Sequence, residues 1–172
     1  MFGLQLIGPE ALRYETRLVN DLELWRVVSA HWVHANWRHF AMNMLGLALC
    51  LALTQVNWKL LQWSWRILVL SLGVSTLFYL RNPDLGWYVG FSGVLFGLYV
   101  LAAVESMGRQ AFIALALLGF IALKIALEQG ASVKITSSGF IGVPVLVDAH
   151  LYGVLTATLI LILQIGTQRF MK

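Results

Sequence analysis

Five apolar stretches, each about as long as a membrane-crossing helix, constrain this chain more than any other feature of its sequence. They cover residues 39–56, 62–80, 92–108, 110–128 and 149–167. A helix needs about 20 mostly apolar residues to cross the hydrocarbon core of a bilayer. Charged residues make up only 12% of the chain, about half their share in soluble domains. The sequence therefore predicts an all-α, polytopic transmembrane helix bundle.

The 38 residues before these stretches divide into two parts. Residues 1–8 resemble the last turns of a further helix, because Pro9 disfavours helical backbone in the residue before it. Residues 9–38 mix arginines with acidic residues, tryptophans and histidines, which is typical of an interfacial loop. Since no repeat or soluble domain is visible, residues 1–172 are predicted to form one membrane domain. Its predicted parts are a truncated first span at 1–8, the loop at 9–38 and five full spans within 39–167.

The net charge of +4 does not indicate a nucleic-acid partner. The basic residues are scattered among acidic ones and near the ends of the apolar stretches, without a dense basic run. We therefore expect contact with membrane lipid and no binding of nucleic acid.

Polar residues inside apolar stretches are the most informative ones, since lipid tolerates them only when they find partners within the bundle. His39, Asn43, Ser92 and His150 stand near the starts of three alternate stretches. If neighbouring spans run in opposite directions, these four side chains lie at one depth, near the loops. That depth can be reached by water.

His39 and Asn43 are four residues apart, so both project from one face of a helix. Two donors on one face can hold an oxyanion. The alternative is that they bond to neighbouring helices and only stabilise packing.

Ser92 lies between Gly90 and Gly93, after a turn that contains Pro83. This places it near a helix N-terminus, where backbone N–H groups are free and negative charge is favoured. Flanking glycines allow close approach of other backbone, as at exposed nucleophiles. A helix-capping serine is the alternative interpretation.

A serine becomes a good nucleophile only when a base within about 3 Å accepts its proton. His150 is the candidate base, because small residues on its helix allow a close approach to the helix of Ser92. These small residues are Gly93 and Gly97 on one helix and Ala149, Gly153 and Ala157 on the other.

Phe96 follows Ser92 by one helical turn and is expected to stack on the imidazole of His150. It would orient the ring in the absence of a carboxylate third member, because Asp148 is too near His150 in sequence for that role. Lys124 and Glu128 are predicted to pair along one helix turn. Arg66 and Lys124 lie near span ends, where snorkelling explains them, and neither is assigned to the chemistry.

No metal site or cofactor is predicted. The sequence has no HExxH motif, and its four histidines do not follow a zinc-binding spacing. His31 and His34 are interpreted as loop-packing residues.

These motifs, in this order and in these spans, resemble the rhomboid family of intramembrane serine proteases. The residues that carry the resemblance are Trp25-Arg26, His34, His39, Asn43, Gly90-Phe91-Ser92-Gly93, and Ala149-His150 with Gly153. It implies a rhomboid-type bundle with Ser92 as nucleophile and His150 as base. It also implies an oxyanion site formed by His39, Asn43 and the backbone N–H of Ser92, supported by Gly90, Gly93, Phe96, Gly97 and Gly153. Ala157 departs from the family, which usually has a second glycine at that position.

The stretch from Trp25 to His34 and the compact chain are most similar to the rhombosortase branch of the family. That similarity implies a multi-pass protein of the bacterial inner membrane. Its substrates would be exported membrane proteins, cleaved near a glycine-rich signal before a C-terminal anchor helix. Two other functions remain open: a rhomboid-like protein without activity that binds and escorts membrane clients, or a small transporter that uses His39, His150 and Asp148.

Overall fold

The computed structural model describes residues 1–130, 142 and 145–170, with side chains to residue 164. This part of the chain is helical apart from its loops and one isolated pair of extended residues. The helices are α1 (Phe2–Ile7), α2 (Thr16–Asn20), α3 (Arg26–Ser29), a 3-10 turn (Ala30–Trp32), α4 (Trp37–Thr54), α5 (Leu60–Arg81), α6 (Ser92–Ser106), α7 (Ala111–Gly130) and α8 (Asp148–Phe170). Most of the stretch between Gln129 and Asp148, which the sequence predicts to be a polar loop, lies outside the described residues.

The five long helices α4 to α8 coincide with the five apolar stretches of the sequence. Each boundary falls within three residues of its predicted position. By length and composition, α5 and α7 are apolar enough to cross a membrane, while α6 and residues 148–164 of α8 are shorter apolar helices. The prediction of an all-α bundle is confirmed for the described residues.

The start of α4 is fixed by a local signal. The side chain of Asn36 accepts a hydrogen bond of 2.9 Å from the backbone N–H of His39, which caps the helix. The helix ends where Gln55 adopts a left-handed conformation at φ 49°. His39 therefore belongs to the first turn of α4 and Asn43 to the second.

Helix α6 forms the centre of the bundle. It packs against α4, α5, α7 and α8, and ten of its 15 residues are buried. A helix that is apolar on all sides is stable only when other helices surround it. Ser92 is the first residue of this enclosed helix.

Small residues bring α6 and α8 into close contact at the end that carries Ser92. A β-carbon on Gly93 would lie 2.7 Å from the carbonyl oxygen of Ala149, and one on Gly97 would lie 2.9 Å from that of Gly153. Gly153 in turn lies against the backbone of Gly93. The close approach predicted from the small residues is observed, and it joins the first turns of the two helices.

Arg26 holds the loop before α4 together. Its guanidinium donates to the carboxylate of Glu23 at 2.6 Å and to the carbonyl oxygens of Glu10 and Arg13 at 3.1 and 2.8 Å. Because Arg26 is buried, these acceptors replace water around its charge. The loop is thus an ordered layer over the Ser92 end of the bundle.

Candidate active site

Backbone hydrogen bonds fix the segment that leads into Ser92. Tyr88 pairs with Tyr14 of the first loop through two main-chain bonds of 3.0 and 2.9 Å. The N–H of Gly90 donates to the carbonyl oxygen of Ala30 at 3.0 Å. The first loop therefore determines where α6 begins and where the half-buried Ser92 side chain lies.

Gly90 has a conformation and an environment that only glycine accommodates. Its φ is +123°, and a β-carbon there would lie 2.7 Å from Cε1 of His39. A close approach of another group to this glycine is expected, and the group that approaches it is the imidazole of His39. This contact brings His39 next to the segment that carries Ser92.

The tyrosine beside the candidate nucleophile is neutral. Burial raises the pKa of the Tyr88 hydroxyl, while the Gly93 backbone and the Ser92 side chain partly oppose that rise. The hydroxyl donates to the carbonyl oxygen of Gly90 at 2.7 Å. Tyr88 thus supports the turn before Ser92 as an uncharged hydrogen-bonding group.

His39 and Asn43 lie on one face of α4, as their spacing predicts, and both are buried. The amide of Asn43 donates to the carbonyl oxygen of His39 at 3.0 Å, which fixes its orientation. Nδ1 of His39 is buried and has no hydrogen-bond partner among the described residues.

His150 is held from two sides. Phe96 stacks on its imidazole, with ring centroids 4.4 Å apart and planes 14° from parallel, as the helical spacing predicts. Nδ1 of His150 lies 2.8 Å from Oε2 of Glu128 on α7. Both side chains are almost completely buried, at 3% and 4% exposure.

The expected absence of a carboxylate beside His150 is therefore wrong. Glu128 also pairs with Lys124, as predicted, but its second oxygen reaches His150 on another helix. The pair with Lys124 follows from spacing within one helix, whereas the contact with His150 joins two helices and has no counterpart in local spacing. One signal was available: an acidic residue in the last turn of a helix opposes the helix dipole, so it requires another partner.

Two cavities meet at Ser92. One of about 440 Å³ lies between α4, α6 and α7, and its lining includes Ser92, His150, His39 and Asn43. The other, of about 350 Å³, lies on the loop side and shares Ser92, His39 and Val145 with the first. All four predicted chemical residues therefore line one cavity, and Ser92 also faces the second.

His31 and His34 lie behind this site and pack the first loop. Nε2 of His31 is 3.0 Å from the hydroxyl of Ser75, and the backbone of His34 exchanges two hydrogen bonds with the side chain of Gln5. Burial lowers the pKa of His31 to about 4 and that of His34 to about 3. Both are neutral near pH 7, which fits the predicted packing role.

Asp148 does not contact the histidines through its carboxylate. Its two oxygens accept from the amides of Asn82 and Gln129, each at 3.3 Å. In the part of the chain that the structure describes, His, Cys, Asp and Glu form no group of three that could hold a metal ion.

The rhomboid domain matches residues 21–166, which is most of the chain. The chain therefore belongs to the rhomboid family, whose members are serine intramembrane proteases that act on membrane proteins. No curated protein and no solved structure gives a significant match. Family membership implies intramembrane protease activity, and the cavity around Ser92 is where that chemistry can be located.

Proposed function

We propose that this protein is an intramembrane serine endopeptidase in which Ser92 is the nucleophile and His150 the general base. The observation that carries the proposal is that Ser92, His150, His39 and Asn43 line one cavity, although they come from three helices. Polar side chains of a membrane bundle face its interior in general, but packing alone does not require four of them from three helices to line one cavity. Each buried polar group is costly unless it is used or paired.

In the first step the hydroxyl oxygen of Ser92 attacks the carbonyl carbon of the scissile peptide bond, and its proton passes to His150. Nδ1 of His150 is engaged by Glu128, so Nε2 is the nitrogen that accepts this proton. His150 then gives the proton to the leaving amine as the C–N bond breaks. Water hydrolyses the acyl enzyme with His150 again acting as base.

The negative oxygen of the tetrahedral intermediate requires donors. The backbone N–H of Ser92 at the start of α6 and the side chains of His39 and Asn43 are the proposed set. Asn43 would exchange its bond to the His39 carbonyl for one to the oxyanion. Nδ1 of His39 has no hydrogen-bond partner among the described residues, which supports a role for this ring at the oxyanion.

The proposed substrate is a membrane protein with a C-terminal anchor helix, cleaved at a glycine-rich signal. The larger cavity is lined mainly by apolar side chains, including Leu49, Leu53 and Leu117, which suit an apolar segment. Glycine-rich helix unwinds at little cost, which would expose the scissile bond. The similarity to the rhombosortase branch supports this substrate class and a location in the bacterial inner membrane.

Fluorophosphonate labelling of the purified protein tests the proposal, because such probes react with activated serines. Wild type should be labelled, while Ser92→Ala and His150→Ala should both lose labelling. Ser106→Ala is the matched control, since Ser106 lies on the same helix, buried at its other end. Folded wild type without labelling would contradict the proposal and favour a client-binding rhomboid-like protein.

A further inference from the structure

We propose that Glu128 is a positioning residue for His150, which extends the proposed dyad to a Ser92–His150–Glu128 triad. This inference rests on the proposed function. Glu128 would act through the imidazole and would not touch the substrate. It would fix the tautomer of His150 and stabilise the proton that His150 receives.

The contact at Nδ1 determines the tautomer of His150. A neutral imidazole carries one N–H, and the nitrogen that faces a carboxylate is the one that holds it. With Nδ1–H bonded to Glu128 at 2.8 Å, the lone pair lies on Nε2. That is the form required to accept the proton of Ser92. Stacking on Phe96 holds the ring plane, while the carboxylate determines which nitrogen is the base.

The surroundings of Glu128 balance its charge. Its other oxygen accepts from Lys124, whose ammonium group lies 5.8 Å from the centre of the Phe96 ring. Lys124 offsets the charge of a carboxylate that would otherwise be costly to bury. When His150 becomes an imidazolium, the carboxylate gains a second cationic neighbour. Its stabilising effect therefore increases as the proton is transferred, which lowers the barrier.

Packing alone does not account for Glu128. The buried residues of α7 are Ala114, Ile121 and Glu128, spaced seven apart along one face. An apolar residue at the third position would continue this face without burying a charge. The last turn of a helix also disfavours a negative charge. The residue is thus unfavourable for the helix, and its contact with His150 is what it contributes.

Glu128→Gln is the decisive variant, because glutamine keeps the size and removes the charge. We expect fluorophosphonate labelling at Ser92 to slow by about 100-fold or more, by analogy with the neutralised acid of serine protease triads. We also expect the acid limb of the pH profile of labelling to move to lower pH, because the negative charge that favours the protonated imidazole is removed. Glu105→Gln is the matched control, since the side-chain bonds of Glu105 are made with Trp58 and Arg66.

The charged and titratable groups around His150 among the described residues are few. Lys124 and Glu128 come from α7, His39 from α4 and Asp148 from the first turn of α8 itself. Lys124→Gln removes the competing cation, so the carboxylate acts on His150 more strongly. In this variant the acid limb of the pH profile of labelling should move to higher pH, opposite to the shift in Glu128→Gln.

The possible results distinguish a failure of the proposed function from a failure of the proposed role of Glu128. Wild type without labelling overturns the proposed function. If wild type is labelled and Glu128→Gln matches it in both rate and pH profile, only the role of Glu128 is overturned. If Glu128→Gln melts at lower temperature and its folded fraction keeps the wild-type pH profile, the residue is structural and the inference is overturned as well. A slower rate with a shifted profile in folded protein supports the triad.

Discussion

Two clusters in this bundle are built from similar residue types and differ in what surrounds them. The arginine cluster consists of Trp58, Trp65, Arg66 and Glu105; the histidine cluster consists of Phe96, Lys124, Glu128 and His150. In the first, Glu105 accepts from the indole of Trp58 at 2.6 Å and from Arg66 at 3.5 Å, and Arg66 lies over both indoles. Each cluster thus combines a carboxylate, a cation and an aromatic ring.

Exposure separates the two clusters. The side chain of Glu105 is 43% exposed, whereas that of Glu128 is 4% exposed. An arginine keeps its charge at any ordinary pH, while a histidine gains and loses a proton near neutrality. Phe96, Lys124 and His150 of the histidine cluster also line the larger cavity. An ion pair thus becomes relevant to chemistry when it is buried, contains a titratable member and lies beside a cavity.

The largest difference between the clusters should appear when each carboxylate is removed. Glu128→Ala leaves Lys124 and His150 without their buried partner, and breaking a buried pair costs about 3–5 kcal/mol. Glu105→Ala should cost about 1 kcal/mol, because water can replace an exposed carboxylate. Unfolding of both variants by SDS titration in mixed micelles measures these losses. Equal losses in the two variants would contradict the proposed difference between the clusters.

The loss of unfolding free energy at acid pH should originate at the end of the bundle that carries the site. The pKa of His31 is about 4 in the folded protein and near 6.5 when unfolded, so protons favour the unfolded chain. The stability that neutral His31 contributes is complete above pH 6.5 and is lost as the pH falls toward 4, by about 3 kcal/mol.

His31→Gln should remove this part of the acid sensitivity, since its amide can still donate to Ser75. The free energy of unfolding, measured at pH 7.5 and pH 4, should fall by about 3 kcal/mol less in the variant than in wild type. His34 contributes its own acid sensitivity to both proteins, because burial lowers its pKa as well. The same loss in both proteins would contradict the prediction.

The smallest effect is expected in the arginine cluster. Arg66 lies 4.3 and 4.8 Å from the ring centres of Trp58 and Trp65, and Arg66→Lys keeps the charge but loses the planar stacking. We expect a loss of about 1 kcal/mol in unfolding free energy. The rate of fluorophosphonate labelling should not change. A reduced rate would show that this cluster also acts on the site.

The sequence predicts those features that depend on one helix or on bulk composition. The bounds of α4 to α8 follow from apolar length, and the stacking of Phe96 follows from a one-turn spacing to Ser92. The contact between α6 and α8 follows from Gly93, Gly97 and Gly153, because small residues are needed only where backbones approach.

Features that depend on how separate segments meet are not predicted. Glu128 and His150 are 22 residues apart on different helices, and the pairing with Lys124 gave Glu128 a sufficient local explanation. The bridge between Tyr14 and Tyr88 joins residues whose side chains carry no pairing signal, since the bonds are made by the backbone.

That backbone bridge has a consequence for mutational tolerance. Main-chain bonds do not depend on side-chain identity, so the bridge tolerates substitutions at Tyr14 that preserve packing, whereas Tyr88 also supports the turn before Ser92 through its hydroxyl. The position of Ser92 is sensitive to chain length, because one residue inserted between Tyr88 and Ser92 would shift the nucleophile while the bridge stayed in place. Variation in the loops of this protein should therefore accumulate as substitutions, and length changes should be confined to segments outside residues 88–92.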